Sequence, residues 1–241
     1  MAKIHMLLQG KGGVGKSFIA SVLAQYKYAK GQKPVCIDTD PVNATFFGFK
    51  TLKVKRLELM DGEEINPRNF DALVEMVAPS KHDVVIDNGA SSFVQLAHYL
   101  VTNEVPQLLQ NFGHELIVHS VITGGQAFED TLHNLKEIVP QFPNEAQFVV
   151  WLNPYWGPIE DKGTPFEQLP AYVSMRDRLS ALITIPTLKA ETYGRDLAEL
   201  LQSRQTFDEA IAKDSLTIMT RQRLKIIRDQ LFAQLDNAVV I

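Results

Sequence analysis

Short apolar runs alternate along the chain with longer segments in which apolar residues recur every three or four positions. The runs Ile4–Gln9, Val35–Thr39, Val84–Asp87, Leu116–Val121, Phe148–Leu152 and Leu182–Ile185 are four to six residues long and predict buried strands. The segments Ser17–Lys30, Phe70–Val77, Phe93–Leu100 and Phe128–Ile138 predict helices. In the first of them Ile19, Ala20, Leu23, Ala24 and Tyr28 share one stripe, and Gly31 supplies a natural stop. From about Ala190 no strand pattern remains, while Leu197, Leu200 and Leu201, then Leu224, Ile227, Leu231 and Leu235, keep helical spacing. Strands alternating with helices predict a three-layer α/β fold: a mostly parallel, twisted sheet, helices on both faces, and a helical C-terminus. The longest stretch without either pattern is Asn153–Pro170, rich in Pro and Gly; loops of that length are often functional.

Composition narrows this picture. With 241 residues, 45% hydrophobic, and neither repeat nor Gly/Ser linker, residues 1–241 read as one domain. A net charge of −4 excludes a wholly basic, histone-like binder, though not a local basic patch. The single cysteine, Cys36, lies in an apolar run and is expected to be buried and inert. No stretch approaches the roughly 20 apolar residues of a spanning helix. The expected location is the cytoplasm, with membrane contact weak at most.

The chemistry starts at Gly10-Lys11-Gly12-Gly13-Val14-Gly15-Lys16-Ser17. This fits G-x-x-x-x-G-K-[ST], follows a predicted strand and enters a predicted helix, the context that separates a phosphate loop from a chance match. Glycines let successive N–H groups turn inward around phosphate oxygens, and the helix N-terminus adds its unpaired donors. Gly12, Gly13, Val14, Gly15, Lys16, Ser17 and Phe18 are the candidate nucleotide contacts. Lys16 would reach the β- and γ-phosphates, and the Ser17 hydroxyl would join the shell of Mg²⁺. The expected ligand is therefore a nucleoside triphosphate with Mg²⁺. An apolar strand ending in Asp87 has the Walker B form, which adds Asp87 to that shell. Asp38-Thr39-Asp40-Pro41 closes another strand, and ligands of open α/β sheets gather at such carboxyl ends.

Lys11, directly after the first glycine, makes the loop a deviant Walker A motif. With it the chain resembles the ParA/MinD family of P-loop ATPases. The resemblance implies that the nucleotide is ATP or ADP, and that ATP drives a homodimer in which Lys11 reaches the partner subunit's nucleotide. It also implies that Asp40 aligns the attacking water, that Asp38 holds Mg²⁺ through water, and that Asn153 reads the adenine edge. Lys11, Lys16 and Asp40 are thus the candidate catalytic residues. Relatives that segregate DNA carry D-x-D-P-Q-G-N, where this chain reads Asp40-Pro41-Val42-Asn43-Ala44-Thr45, which counts against close equivalence with them. The runs D-T-D-P-V-N-A-T, V-I-D-N-G-A and W-L-N-P-Y-W-G look most like a branch encoded with the transfer genes of conjugative plasmids. That likeness implies a slow, partner-stimulated switch ATPase acting on a protein of the conjugation apparatus. The rivals are a partition-type ATPase binding non-specific DNA and an ATP-gated scaffold without hydrolysis.

Other features leave alternatives open. Lys50, Lys53, Lys55 and Arg56 form one basic cluster and Arg221, Arg223, Lys225 and Arg228 another; each could hold DNA phosphates or be a solvated face. Thr123-Gly124-Gly125 could face the nucleotide or be an ordinary turn. Asn88-Gly89 permits a tight turn, and Ser91 or Ser92 could cap the following helix. Trp156 could anchor a partner, whereas Trp151, inside a predicted strand, is expected to pack.

Overall fold

The computed structural model describes residues 1–241. Seven strands form one sheet: β1 Lys3–Leu7, β2 Val35–Asp38, β3 Lys55–Arg56, β4 Val84–Asp87, β5 Glu115–Thr123, β6 Ala146–Asn153 and β7 Leu179–Thr184. Their order is β7-β6-β5-β1-β4-β2-β3, and every neighbouring pair is parallel. A parallel sheet needs cover on both faces, which is why its strands read as unbroken apolar runs. Ile4, Met6, Val84, Ile86, Val118, Phe148 and Val150 face one core. That layer is closed by α2 Asn69–Val77, α3 Phe93–Thr102, α4 Val105–Asn111, α5 Phe128–Gln141 and α6 Pro170–Met175. Leu7, Val85, Ile117, Val121, Val149 and Trp151 face the other. There the cover is α1 Lys16–Ala29, α7 Arg195–Gln202, α8 Phe207–Ile211 and α9 Ile218–Asn237. The expected three-layer fold and helical C-terminus are both present. No helix is long and apolar enough to cross a membrane.

Several local expectations shift. Tyr28 is 37% exposed, and Lys27 takes the buried place on α1 instead. The lysine is satisfied by Asp83 at 2.8 Å and by the Ile241 carbonyl at 2.8 Å, partners that helical periodicity cannot reveal. The stretch Asn153–Pro170 is not irregular. It contains a helical turn at Pro154–Trp156 and an antiparallel ribbon, Glu160–Asp161 with Thr164–Pro165, and the buried Phe166 pins it to the core. The two-residue strand β3 was not expected, because both of its residues are exposed cations. Charges on an edge strand discourage further pairing. Gly31 does end α1, with φ +76, and Cys36 is buried, its thiol pushed up to about 12.

The α1/α9 side of the sheet also buries a polar chain. Trp151 Nε1–H donates to His119 Nδ1 at 2.9 Å, and His119 Nε2 lies 3.0 Å from His5 Nδ1. An indole can only donate, so His119 Nδ1 accepts, its Nε2 carries the proton, and His5 Nδ1 accepts in turn. The remaining His5 Nε2–H has no partner. This chain works only with neutral rings. Burial first, then the nearby Lys27 charge, lowers His119 to about 3, and burial holds His5 far below its ordinary value.

Unfolded histidine protonates near 6.5, so the stability these rings contribute is complete above that pH and is lost as pH falls toward 3. The limit is about 1.4 kcal/mol per pH unit for each ring. Asp87, whose carboxyl is raised by burial, acts in the opposite sense over part of this range. The histidine contribution is therefore read as a difference. Urea midpoints measured from pH 7 to pH 4.5 should fall more steeply for the wild type than for His119→Gln; equal slopes would show that the rings do not resist protonation.

Candidate functional site

The site lies at the carboxyl ends of β1, β4 and β2. Between β1 and α1 the chain turns through Gly13 at φ +75 and Gly15 at φ +103, a conformation that side chains with a Cβ resist. The free N–H groups of the first turn of α1 then point into the loop, an arrangement suited to anions. Gly12, Gly13, Gly15, Lys16, Ser17, Phe18 and Asp40 line one cleft of about 560 Å³. Its remaining walls come from the loop that follows β2, from Ala90 and Ser91 after β4, and from Leu201 of α7.

Lys16 is buried, and its ammonium donates to the Lys11 carbonyl at 3.0 Å. Burial lowers its pKa, while Asp87 and Asp40 pull it back up. Asp87, fully buried, has neither carboxylate oxygen hydrogen-bonded. Burial drives its pKa well above the usual carboxylate range, Ser17 opposes this, Asp38 reinforces it and Lys16 opposes it. Buried carboxylate oxygens without donors, beside a serine hydroxyl, are hard oxygen ligands of the kind a divalent cation takes. The residues therefore fit Mg²⁺.

The other acids are engaged differently. Asp38, also buried, accepts the Asp40 N–H at 2.9 Å on one oxygen and the Phe47 N–H at 2.8 Å on the other. Its pKa is raised by burial and drawn down by those two N–H groups. Asp40 Oδ1 accepts from Val42 N at 2.9 Å and Asn43 N at 3.0 Å, which leaves Oδ2 uncommitted. Gly89 lets the two acidic loops touch, since a Cβ there would stand 2.8 Å from Asp40 Oδ1.

Lys11 is not a wall of the cleft. Its ammonium extends to Asp130 at 2.7 Å, an ion pair roughly half exposed. Asn153 is buried: its Nδ2 donates to the Val14 carbonyl at 2.9 Å and its Oδ1 accepts from Tyr155 N at 3.2 Å. The structure thus brings together the phosphate loop, Asp40 and Asp87, places Asp38 and Asn153 as supports, and leaves Lys11 pointing outward.

Several supporting contacts carried no signal in the sequence. Gln9, just before the loop, donates to the Val121 carbonyl at 2.8 Å and accepts from the Lys11 N–H at 3.3 Å and from Asn134. Behind the acids, the Thr39 hydroxyl lies 3.2 Å from both the Asp87 carbonyl and Asn88 Oδ1. The Ser92 hydroxyl donates to Asn88 Oδ1 at 2.8 Å rather than capping α3. Single polar residues at irregular offsets form no motif; only the fold shows that they converge.

Of the two basic clusters, the one on α9 is largely neutralised. Arg223 pairs with Asp196, Arg228 with Asp208 and Asp229, and Arg221 faces Asp214 at 3.8 Å. In the other, Arg56 meets Glu58 at 3.3 Å and Lys50 lies over the Phe47 ring. Gly124 and Gly125 pack against the Trp156–Pro158 backbone, which explains their lack of side chains. Trp151 is buried as expected, while Trp156 is 59% exposed and stands edge-on to Tyr155.

Comparison with known proteins agrees with this geometry. The CobQ/CobB/MinD/ParA nucleotide binding domain matches residues 5–152, more than half of the chain. A protein of Escherichia coli called Protein TraL is 68% identical over 241 residues, covering the whole of both chains. Among solved structures, the cell division ATPase MinD of Pyrococcus furiosus superposes with a TM-score of 0.55 at 15% identity, covering 98% of this chain and 99% of that one. MinD of Aquifex aeolicus gives 0.53 at 14% identity, covering 96% and 97%. The solved structures support the fold alone, whereas the domain match and the full-length identity make this chain a member of the CobQ/CobB/MinD/ParA nucleotide-binding family.

Proposed function

We propose that the chain is a Mg²⁺-dependent ATPase that works as a switch: it dimerises with ATP bound, engages a protein of a conjugative transfer apparatus, and resets on hydrolysis. The observation that carries this reading is the buried, unpartnered carboxylate of Asp87 facing Lys16 and Ser17 beneath a phosphate loop.

Catalysis of this kind is positioning plus electrostatics. The loop N–H groups of Gly12 to Ser17 hold the phosphate oxygens, and Lys16 leaves the Lys11 carbonyl to meet the β- and γ-phosphates. Asp87 and the Ser17 hydroxyl would hold Mg²⁺, with Asp38 behind them through water; Mg²⁺ when bound neutralises charge on the β- and γ-phosphate oxygens. Asp40, fixed through Oδ1 by two backbone N–H groups, presents Oδ2 to align the attacking water. Lys11 would cross to the nucleotide of the partner subunit. Freeing it breaks one exposed ion pair with Asp130, which costs only about 0–1 kcal/mol. A protein partner is favoured over DNA because three of the four cations on α9 already face carboxylates. The resemblance to plasmid-transfer relatives supplies the process.

Titration with a fluorescent ATP analogue should show binding by the wild type and loss of about a hundredfold or more in Lys16→Ala. Asp40→Ala should bind within a few-fold and release phosphate at least about tenfold more slowly. Wild-type turnover by Asp40→Ala would remove its assigned role. Sedimentation with ATP should show a dimer for Asp40→Ala and a monomer for Asp40→Ala combined with Lys11→Ala; an unchanged dimer would remove the crossing role of Lys11.

Asn153 supplies a separate test. Because its amide supports Val14, Asn153→Ala should weaken ATP and GTP by the same factor, on the order of tenfold for a lost buried hydrogen bond. A loss confined to ATP would assign the residue to the adenine edge instead.

A further inference from the structure

A second cavity, of about 640 Å³, opens beside the nucleotide cleft at the same edge of the sheet. Apolar contacts are offered by Pro41 and Val42 from the loop after β2, and by Met60 and Ile65 from the antiparallel ribbon Met60–Asp61 with Glu64–Ile65. Glu63 and Glu64 of that ribbon add negative charge, and Ser91 and Gln95 complete the walls. Val42 and Ser91 also line the nucleotide cleft, so the two cavities share a partition. That partition consists of the loops following Asp40 and Asp87.

The charge on this groove is unbalanced. Glu63 and Glu64 face no cation within ion-pair distance, whereas Asp196, Asp208, Asp229 and Asp236 around α9 are all paired. Of the nearest cations along the chain, Arg56 is held by Glu58, and Arg68, exposed and without an ion pair, lies outside the groove lining. A negative rim over apolar contacts repels a nucleic-acid backbone and an anionic lipid surface alike. It complements a peptide that carries cations beside an apolar residue. The volume suits a few side chains, not a folded domain.

We propose that this groove docks a short basic segment of a partner protein, with Lys or Arg on Glu63 and Glu64 and an apolar side chain on Pro41, Val42 and Ile65. Because Val42 and Ser91 belong to both cavities, occupancy of one is felt in the other, and the affinity of the segment depends on the nucleotide bound. This assigns a chemistry to the partner in the reading above and rests on it.

The probe is a short fluorescein-labelled peptide of Arg, Lys and Leu, compared with a counterpart carrying Glu in place of each cation. Its anisotropy is followed with the full chain loaded with a non-hydrolysable ATP analogue or with ADP, at physiological salt. The cationic peptide should bind, with affinities differing at least about threefold between the two nucleotides. Glu63→Lys combined with Glu64→Lys should weaken it about tenfold, and the Gln pair should give a smaller loss, with nucleotide affinity and thermal midpoint unchanged. Glu137→Lys with Glu145→Lys, near the opposite end of the sheet, should leave binding intact. Undiminished binding by the Glu63/Glu64 reversal would overturn the proposal, as would equal loss in the opposite-end control or indifference to the nucleotide. Loss of ATP-dependent self-association in the reversal would overturn it too, by making a second copy of the chain the occupant. If the wild type bound no nucleotide, the titration alone would reveal it, and the ATPase reading would fail rather than the groove.

Discussion

The site depends on the register of three parallel strands. Leu7 of β1 and Asp38 of β2 both stand level with Asp87 of β4, so the phosphate loop, the Asp38–Asp40 segment and Asp87 leave the sheet at one height. Slipping one strand by a single residue would exchange its two faces. Burial on both sides prevents this: Val84 and Ile86 are held in one core and Val85 in the other. The same register has an electrostatic cost, because it seats two carboxylates on adjacent strands in an environment that disfavours their charge. Lys16 and the backbone N–H groups of Asp40 and Phe47 offset part of that cost, and Asp87 is left with the largest unmet demand.

That imbalance connects packing to chemistry. A carboxylate that is fully buried and unpartnered destabilises the ligand-free fold. A cation bound there would recover the energy otherwise lost. Behind the acids, Thr39, Asn88 and Ser92 tie the end of β2 to the backbone at the end of β4 and to the start of α3. Gln9 does the same for the start of the loop, tying it to β5 and α5.

How much of this could be read from the chain varies with the kind of signal. The phosphate loop was legible because glycines and a lysine stand at fixed offsets whose physical reason is known. Asp87 and Asp38 were legible because each ends an apolar run, and the layering because parallel strands must be apolar throughout. Lys27 was not, since periodicity counts lysine as polar and its partners Asp83 and Ile241 are remote in sequence. The edge strand β3 and the seven-residue α4 are too short to carry a period. Asn153 was marked as a site residue by resemblance, but the contact with Val14 depends on how two loops meet. Charge clusters were legible as composition and misleading as surfaces, because the acids that neutralise α9 come from other elements as well as from the helix itself.

The two tryptophans end up in opposite situations. Trp151 is sealed in the sheet and hydrogen-bonded to an uncharged imidazole, whereas Trp156 sits in solvent on the loop that follows Asn153, next to the glycine turn after β5. One indole therefore reports on the integrity of the core and the other on the mouth of the sheet. The intrinsic emission of the unlabelled protein is a sum of a shielded and a quencher-accessible component, so iodide resolves movement of the mouth without disturbing the signal from the core.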